Sequence, residues 1–277
     1  MTAEAIAARV WPGRELRIEP LGGGITNHNF KVSLDGEAYV LRIAGADTEL
    51  LGIDREAEHT AAQAAAEVGV GPEVVDFVEG SLITRFVQGR PVPPEELRSA
   101  ECLRETAELL RRVHEGSSFP TRFDSFRVVE TYHRTAVERG VEVPAEFGPA
   151  KRRADEIERA LGLRPEHPCH NDLLNANFIR SPEGIRIVDW EYAGMGDRFF
   201  DLANFSVNHE LSADESHLLL GAYFGEVREE DRAHLRAMRF MSEFREAMWG
   251  VVQQGISNLD FDFEDYARRH FARLQLT

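Results

Sequence analysis

"CHNDLLNANFI", residues 169–179, decides the reading of this chain of 277 residues. It sets a histidine, an aspartate and three asparagines into a run that is otherwise apolar. Asp172 precedes Asn177 by five positions. On one tight loop, that spacing lets a carboxylate take a hydroxyl proton while an amide oxygen reaches a divalent metal. Twelve residues after Asn177, Asp189 ends the apolar run of "IVDWE". The alternative is that His170, Asp172 and Asn177 only hydrogen-bond a surface loop, and the flanking sequence has to decide.

The full pattern, His170-x-Asp172-Leu173-x-x-x-Asn177, has the spacing of a catalytic loop for phosphoryl transfer. Asp189 at a strand end then supplies a second oxygen ligand for magnesium between nucleotide phosphates. Upstream, "LGGGITNHNFKV" puts glycines at a turn between two strands, where bare amides can approach phosphate oxygens. The turn lacks the Gly-Lys-Ser/Thr ending of a Walker loop, so a P-loop fold is disfavoured. Arg42 in "YVLRI" stands where a kinase strand carries its phosphate-binding lysine, and Glu56 in the next helix is placed to hold that cation.

Around these motifs the chain divides in two. Residues 14–43 alternate as strands, "LRIEP", "NFKVSL" and "AYVLRI", the last two joined at Asp35-Gly36. An alanine-rich helix follows over 54–68, capped by Asp54 and stopped by Gly69, and then come strands around "EVVDFV" and "SLITRFV". From Pro91 the texture changes to helical periodicity, over 93–115, 147–161, 213–225, 229–256 and 262–275, interrupted by a hairpin pattern at 177–189. The Pro- and Gly-rich "QGRPVPPEE" is the hinge, separating a nucleotide-binding lobe, 1–88, from a catalytic and acceptor-binding lobe, 89–277. The expected class is α+β: a two-lobed protein-kinase-like fold with a small β-rich N-lobe and a larger, mainly helical C-lobe.

Composition excludes several alternatives. A net charge of −16 argues against a nucleic-acid partner. No run approaches 18 apolar residues and no signal-peptide core precedes the first charges, so no membrane association and a cytoplasmic address are expected. The two cysteines, Cys102 and Cys169, form no disulfide framework. Lys31 and Lys151 are the only lysines, so any phosphate site depends on arginine and backbone amides. "NFS" at Asn204 fits a glycosylation signal but is discounted for want of a leader. No feature specifies an oligomer.

Taken together, "GGITNHNF", "YVLRIAG", "CHNDLLNANFI", "VDWEYAGMGDRFFDLANF" and "WGVVQQGISNLDFDFEDYARRHF" resemble the choline/ethanolamine kinase family, within the aminoglycoside-phosphotransferase and protein-kinase-like group. The resemblance spans most of the chain. It implies transfer of the ATP γ-phosphoryl to a small amino alcohol, choline first and ethanolamine second. By it, Asp172 is the catalytic base, and Asn177 and Asp189 are magnesium ligands. Gly23, Gly24, Thr26, Asn27, Arg42 and Glu56 serve the ATP phosphates, and Arg85 and Val87 flank the adenine. Glu191, Asp201, Trp249 and Tyr266 are assigned to the acceptor side, where aromatic faces suit a quaternary ammonium that has no hydrogen to donate. Asp201 has a second reading, as an anchor of the catalytic loop.

Two positions depart from the family pattern. Glu246 replaces a tryptophan three residues before Trp249, and Asn208 replaces an acid, with Glu210 nearby as a substitute. Asn171 stands where protein kinases carry an arginine for activation-loop phosphate, and no Ala-Pro-Glu segment follows, which disfavours a protein substrate. A thiamine or aminoglycoside kinase is the rival enzyme, and a ligand-binding pseudokinase is the rival outside enzymes.

Overall fold

In a computed structural model, which describes residues 2–22, 27–45, 48–274 and 276, the first half of this expectation is met strand for strand. Strands β1 (Arg17–Leu21), β2 (Asn27–Leu34), β3 (Glu37–Ala44), β4 (Val74–Val78) and β5 (Ser81–Arg85) form one antiparallel sheet in the order β1-β2-β3-β5-β4. Asp35 and Gly36 both take positive φ at the β2–β3 turn, as a two-residue hairpin needs. Because side chains alternate along a strand, the sheet has two different faces. Val32, Tyr39, Leu41 and Ile83 pack under helix α1 (Ala3–Val10) through Ala3 and Ile6. The other face carries Arg42, opposite Asn29 on β2, and looks toward helix α2 (Arg55–Glu67). Asp54 caps α2 by accepting from the amides of Glu56 and Ala57, and Ala57, Ala61, Ala62 and Ala65 form its buried stripe.

The crossing to the C-lobe is tight. Residues Arg90–Pro91 (β6) already pair with β8 (Phe178–Ser181), which pairs in turn with β9 (Gly184–Ile187). A Cβ on Gly89 would lie 2.3 Å from the Arg180 carbonyl oxygen, so only glycine fits at this joint. Helices α3 (Pro94–Leu97), α4 (Ala100–His114), α5 (Ser125–Glu138) and α6 (Phe147–Leu161) follow. Strand β7 (His167–Cys169) enters the catalytic loop and pairs with β10 (Gly194–Gly196), which leads into α7 (Arg198–Asn208). The chain ends with α8 (Ala213–Phe224), the 28-residue α9 (Glu229–Ile256) and α10 (Phe263–Arg273).

Helices α1, α5 and α7 were not expected from the sequence. In α7 every side chain from Phe199 to Val207 is buried, so no polar face marks a helical period. α9 is the centre of the C-lobe and packs against α5, α7 and α10. Gly250 permits the α9–α10 approach, since a Cβ there would lie 2.9 Å from Tyr266 Cδ1 and 3.0 Å from the Ala267 nitrogen.

His209, just past α7, gives this lobe a pH dependence. Its ring lies 4.3 Å from that of Phe205 and 5.9 Å from that of Phe178. Burial, only partly opposed by the Leu173 backbone, pushes the imidazole down to about 4. A folded value below the unfolded one means the stabilisation is present above about pH 6.5 and is lost as pH falls toward the folded value. Linkage then sets a loss of about 2 kcal/mol by pH 5 through this group alone. In His209→Phe, urea unfolding at pH 7.5 and pH 5 should show that part of the acid loss removed. An unchanged difference between the two pH values would rule out His209 as its source.

Candidate active site

The catalytic loop is held from beneath by a single carboxylate. Asp201, with no exposed surface, accepts from the His170 amide at 2.8 Å, the Asn171 amide at 2.7 Å and His114 Nε2 at 2.9 Å. The other His114 nitrogen lies 2.7 Å from the Tyr223 hydroxyl. Asp201 therefore anchors the loop, and its assignment to the acceptor side is corrected: both carboxylate oxygens face backbone and histidine donors behind the loop. His170 is likewise structural, with Nε2 3.0 Å from the Val188 carbonyl oxygen and Nδ1 accepting from the Asp172 amide at 3.2 Å. Asn171 sits at φ 67, a region asparagine tolerates, and its side-chain nitrogen donates to the carbonyls of Cys169 and Tyr192. Asn204 is fully buried, accepting from the Leu173 amide at 2.6 Å and donating to Ser242, so the glycosylation pattern is closed off.

This frame presents Asp172, Asn177 and Asp189. Asn177 donates its amide nitrogen to the Asp172 carbonyl at 2.8 Å, so the amide oxygen is the atom it could offer a metal. Its own carbonyl accepts from the Val188 amide at 2.9 Å, tying the loop to the segment that carries Asp189. Burial, opposed by Arg245, pushes the Asp172 carboxyl up to about 7. Asp189 adopts φ 71 and forms an ion pair with Arg42 Nη1 at 2.7 Å.

The helix partner of Arg42 is Glu58, not Glu56. Glu56 occupies the first turn of α2 on its exposed side, whereas Glu58, two residues on, is buried beneath the sheet. Glu58 also receives Arg55 Nη1 at 2.6 Å. Glu58→Gln should lower kcat/KM for ATP about tenfold or more, a loss of at least roughly 1.4 kcal/mol, while Glu56→Gln stays within about twofold of wild type. Equal effects in steady-state assays of the two variants would contradict this pairing.

Arg55 extends the network across the cleft. It reaches Glu191 at 3.2 Å and, through Nη2, Asn27 Oδ1 at 2.9 Å, while Asn27 donates to Glu191 at 2.8 Å. Glu191 thus faces Asn27 at the start of β2 and also lines a cavity of about 340 Å³ between the lobes, with Tyr132 and Tyr192. Gly23, Gly24 and Thr26 lie outside the described residues.

On the adenine side, Arg85 ends β5 at the lobe boundary. It pairs in register with Tyr39, on the α1 face of the sheet, and forms ion pairs with Glu37 at 2.8 Å and Glu73 at 3.1 Å. Its side chain points away from the face that bears Arg42. Arg85 nevertheless lines, with Phe86, Val87 and Gln88, a cavity of about 850 Å³ that reaches the end of α2 and the β8–β9 turn.

On the acceptor side, Trp249 Nε1 lies 3.2 Å from the Tyr192 hydroxyl, and its ring is 5.5 Å from that of Tyr266. Tyr266 donates to Glu246 at 2.7 Å. Glu246 is therefore part of this wall. Glu210 is not, being exposed and paired with Arg273 at 3.2 Å, and Asn208 bonds Leu173 and Asn204. Arg245 is the residue that the sequence reading missed: it is 1% exposed and reaches Asp172 Oδ1 at 3.2 Å. Its position next to Glu246, one turn before Trp249, was the available signal.

A two-lobed fold whose cleft gathers Asp172, Asn177, Asp189 and a strand arginine has the make-up of a small-molecule kinase. The chain belongs to the choline/ethanolamine kinase family: the pattern that defines choline/ethanolamine kinases matches residues 18–218. Similar proteins include the LicA protein of Haemophilus influenzae, 28% identical over 88% of this chain and 94% of its own length. Ethanolamine kinase 2 of Homo sapiens is 27% identical over 93% of this chain and 75% of its own. The crystal structure of a choline/ethanolamine kinase family protein from Mesorhizobium loti is 33% identical, with a TM-score of 0.83 over 98% of this chain and 92% of that one. Among the described residues no helix is long and apolar enough to cross a membrane.

Proposed function

We propose that the chain transfers the γ-phosphoryl group of ATP to the hydroxyl of a small amino alcohol of the choline and ethanolamine class, in the cytoplasm. The coupling of Asp172 to Asn177, with Asp189 brought to the same cleft by the β8–β9 hairpin, carries this reading. Asp172 orients the acceptor hydroxyl and takes its proton as the oxygen attacks in line. Arg42, held by Glu58, faces the phosphates. The Asn177 amide oxygen and the Asp189 carboxylate are hard oxygen donors, a set that fits magnesium, which keeps most of its coordination for water and phosphate. Magnesium bound there would offset charge on the phosphates during transfer. In this reading the lobe boundary lies near residue 88, with the nucleotide under the N-lobe sheet and the acceptor against Tyr192, Trp249 and Tyr266. A pseudokinase would have no need of a complete Asp172, Asn177 and Asp189 set.

The test is ADP release from ATP and magnesium in the presence of choline, ethanolamine, thiamine or kanamycin. Release stimulated by an amino alcohol, and abolished by chelation, is expected. Stimulation by kanamycin or thiamine alone, or none by any acceptor, would overturn the reading.

A further inference from the structure

The acceptor wall already contains a cation. Arg245 lies 4.5 Å over the Tyr192 ring, and its Nη1 is shared between Asp172 Oδ1 at 3.2 Å and Glu246 Oε1 at 2.5 Å. The other Glu246 oxygen accepts from Tyr266, so both are taken. A quaternary ammonium placed against this wall would find one aromatic face covered, the local acid neutralised, and a guanidinium as its neighbour. Arg245 also has an edge to spare. Its Nε and Nη2, both buried, bond no carboxylate or carbonyl oxygen among the described residues, and the further polar neighbour of the guanidinium is the buried Tyr132 hydroxyl. Nε and Nη2 form the side-on fork of a guanidinium, whose two parallel N–H groups match the two oxygens of a carboxylate. Unpartnered buried donors are costly, so a ligand that fills them gains what the empty pocket forgoes. The nearby cavity lined by Tyr132, Tyr192 and Glu191, about 340 Å³, suits a small molecule.

Resting on the phosphotransferase reading above, we propose that the acceptor is an amino alcohol that also carries a carboxylate, bound through the Nε–Nη2 fork of Arg245, and that Arg245 selects it over choline. Because the same guanidinium touches Asp172, the carboxylate and the reacting hydroxyl are separated by a short chain, as in a hydroxy amino acid. The transfer is unchanged: the hydroxyl oxygen bonds to the γ-phosphorus, the bond from that phosphorus to ADP breaks, and the hydroxyl proton passes to Asp172.

ADP release would be compared for L-serine, L-homoserine, ethanolamine and choline with the wild-type chain, Arg245→Met and Arg245→Lys, each checked for folding by circular dichroism. At least a tenfold advantage in kcat/KM for serine or homoserine over choline is expected in the wild type. Arg245→Met should invert that order. Arg245→Lys keeps the charge without the fork and should lose the carboxylated acceptor while still disfavouring choline. Choline preferred by the wild type, or an order indifferent to Arg245, overturns the proposal and leaves the phosphotransferase reading standing. No release with any acceptor overturns that reading instead. Calorimetric binding of homoserine and choline to the wild type then decides the Arg245 assignment, which fails if homoserine does not bind more tightly.

Discussion

Asp172→Asn is expected to lower kcat by about 10²- to 10⁴-fold, the range that a positioned proton acceptor contributes. The substitution is nearly isosteric, and the backbone on both sides stays held. The Asp172 amide still donates to His170, and its carbonyl still accepts from Asn177. Arg245 keeps Glu246 as a charged partner. Nucleotide affinity, measured by calorimetry, should therefore stay close to wild type, because no proposed phosphate contact involves this side chain. The loss should fall on kcat and leave acceptor KM much less affected. A variant turning over at near-normal rate would remove Asp172 from the chemistry and with it the proposed mechanism.

Asp201→Ala should be the most damaging single change to the fold. It removes the acceptor of two backbone amides and one imidazole in a place with no access to water. Breaking a buried pair by deleting one partner costs about 3–5 kcal/mol. At roughly 2–4 °C per kcal/mol for a chain of this size, the melting temperature should fall by at least about 6 °C. Activity should fall with it, since the loop from His170 to Leu173 would lose its seat. Burial pushes the Asp201 carboxyl up, but His114 and His170 more than offset this and hold it below the ordinary aspartate range. Its stabilisation is then full above about pH 3.9 and is lost as pH falls through the lower folded value. A variant with wild-type melting temperature would show that the anchor is dispensable.

The sequence disclosed what is local and withheld what is not. The loop from His170 to Asn177 could be read because its spacing is its chemistry, and the five strands because period-two alternation is unmistakable between glycine turns. The choice between Glu56 and Glu58 could not, because it depends on which side of α2 meets the sheet, and a helix whose buried face is alanine leaves that orientation weakly marked. Asp201 had two readings for a similar reason: a carboxylate behind a loop and one in front of it have the same neighbours in sequence. Arg85 and Val87 share one hinge cavity, as their places in the chain suggest, although strand alternation puts Arg85 in register with Tyr39. Arg245 escaped notice because a charged residue in a long amphipathic helix is ordinarily solvated, and only the packing of α9 against α5 and the catalytic loop puts it inside.

The bridge of Asn27 and Arg55 to Glu191 ties the two halves together across the cleft. Whatever swings the upper half away from the lower has to pull two donors off one buried carboxylate at the same time. For the proposed kinase, separation of the halves would then be an activated event, setting a floor on how briefly it could hold what it has made.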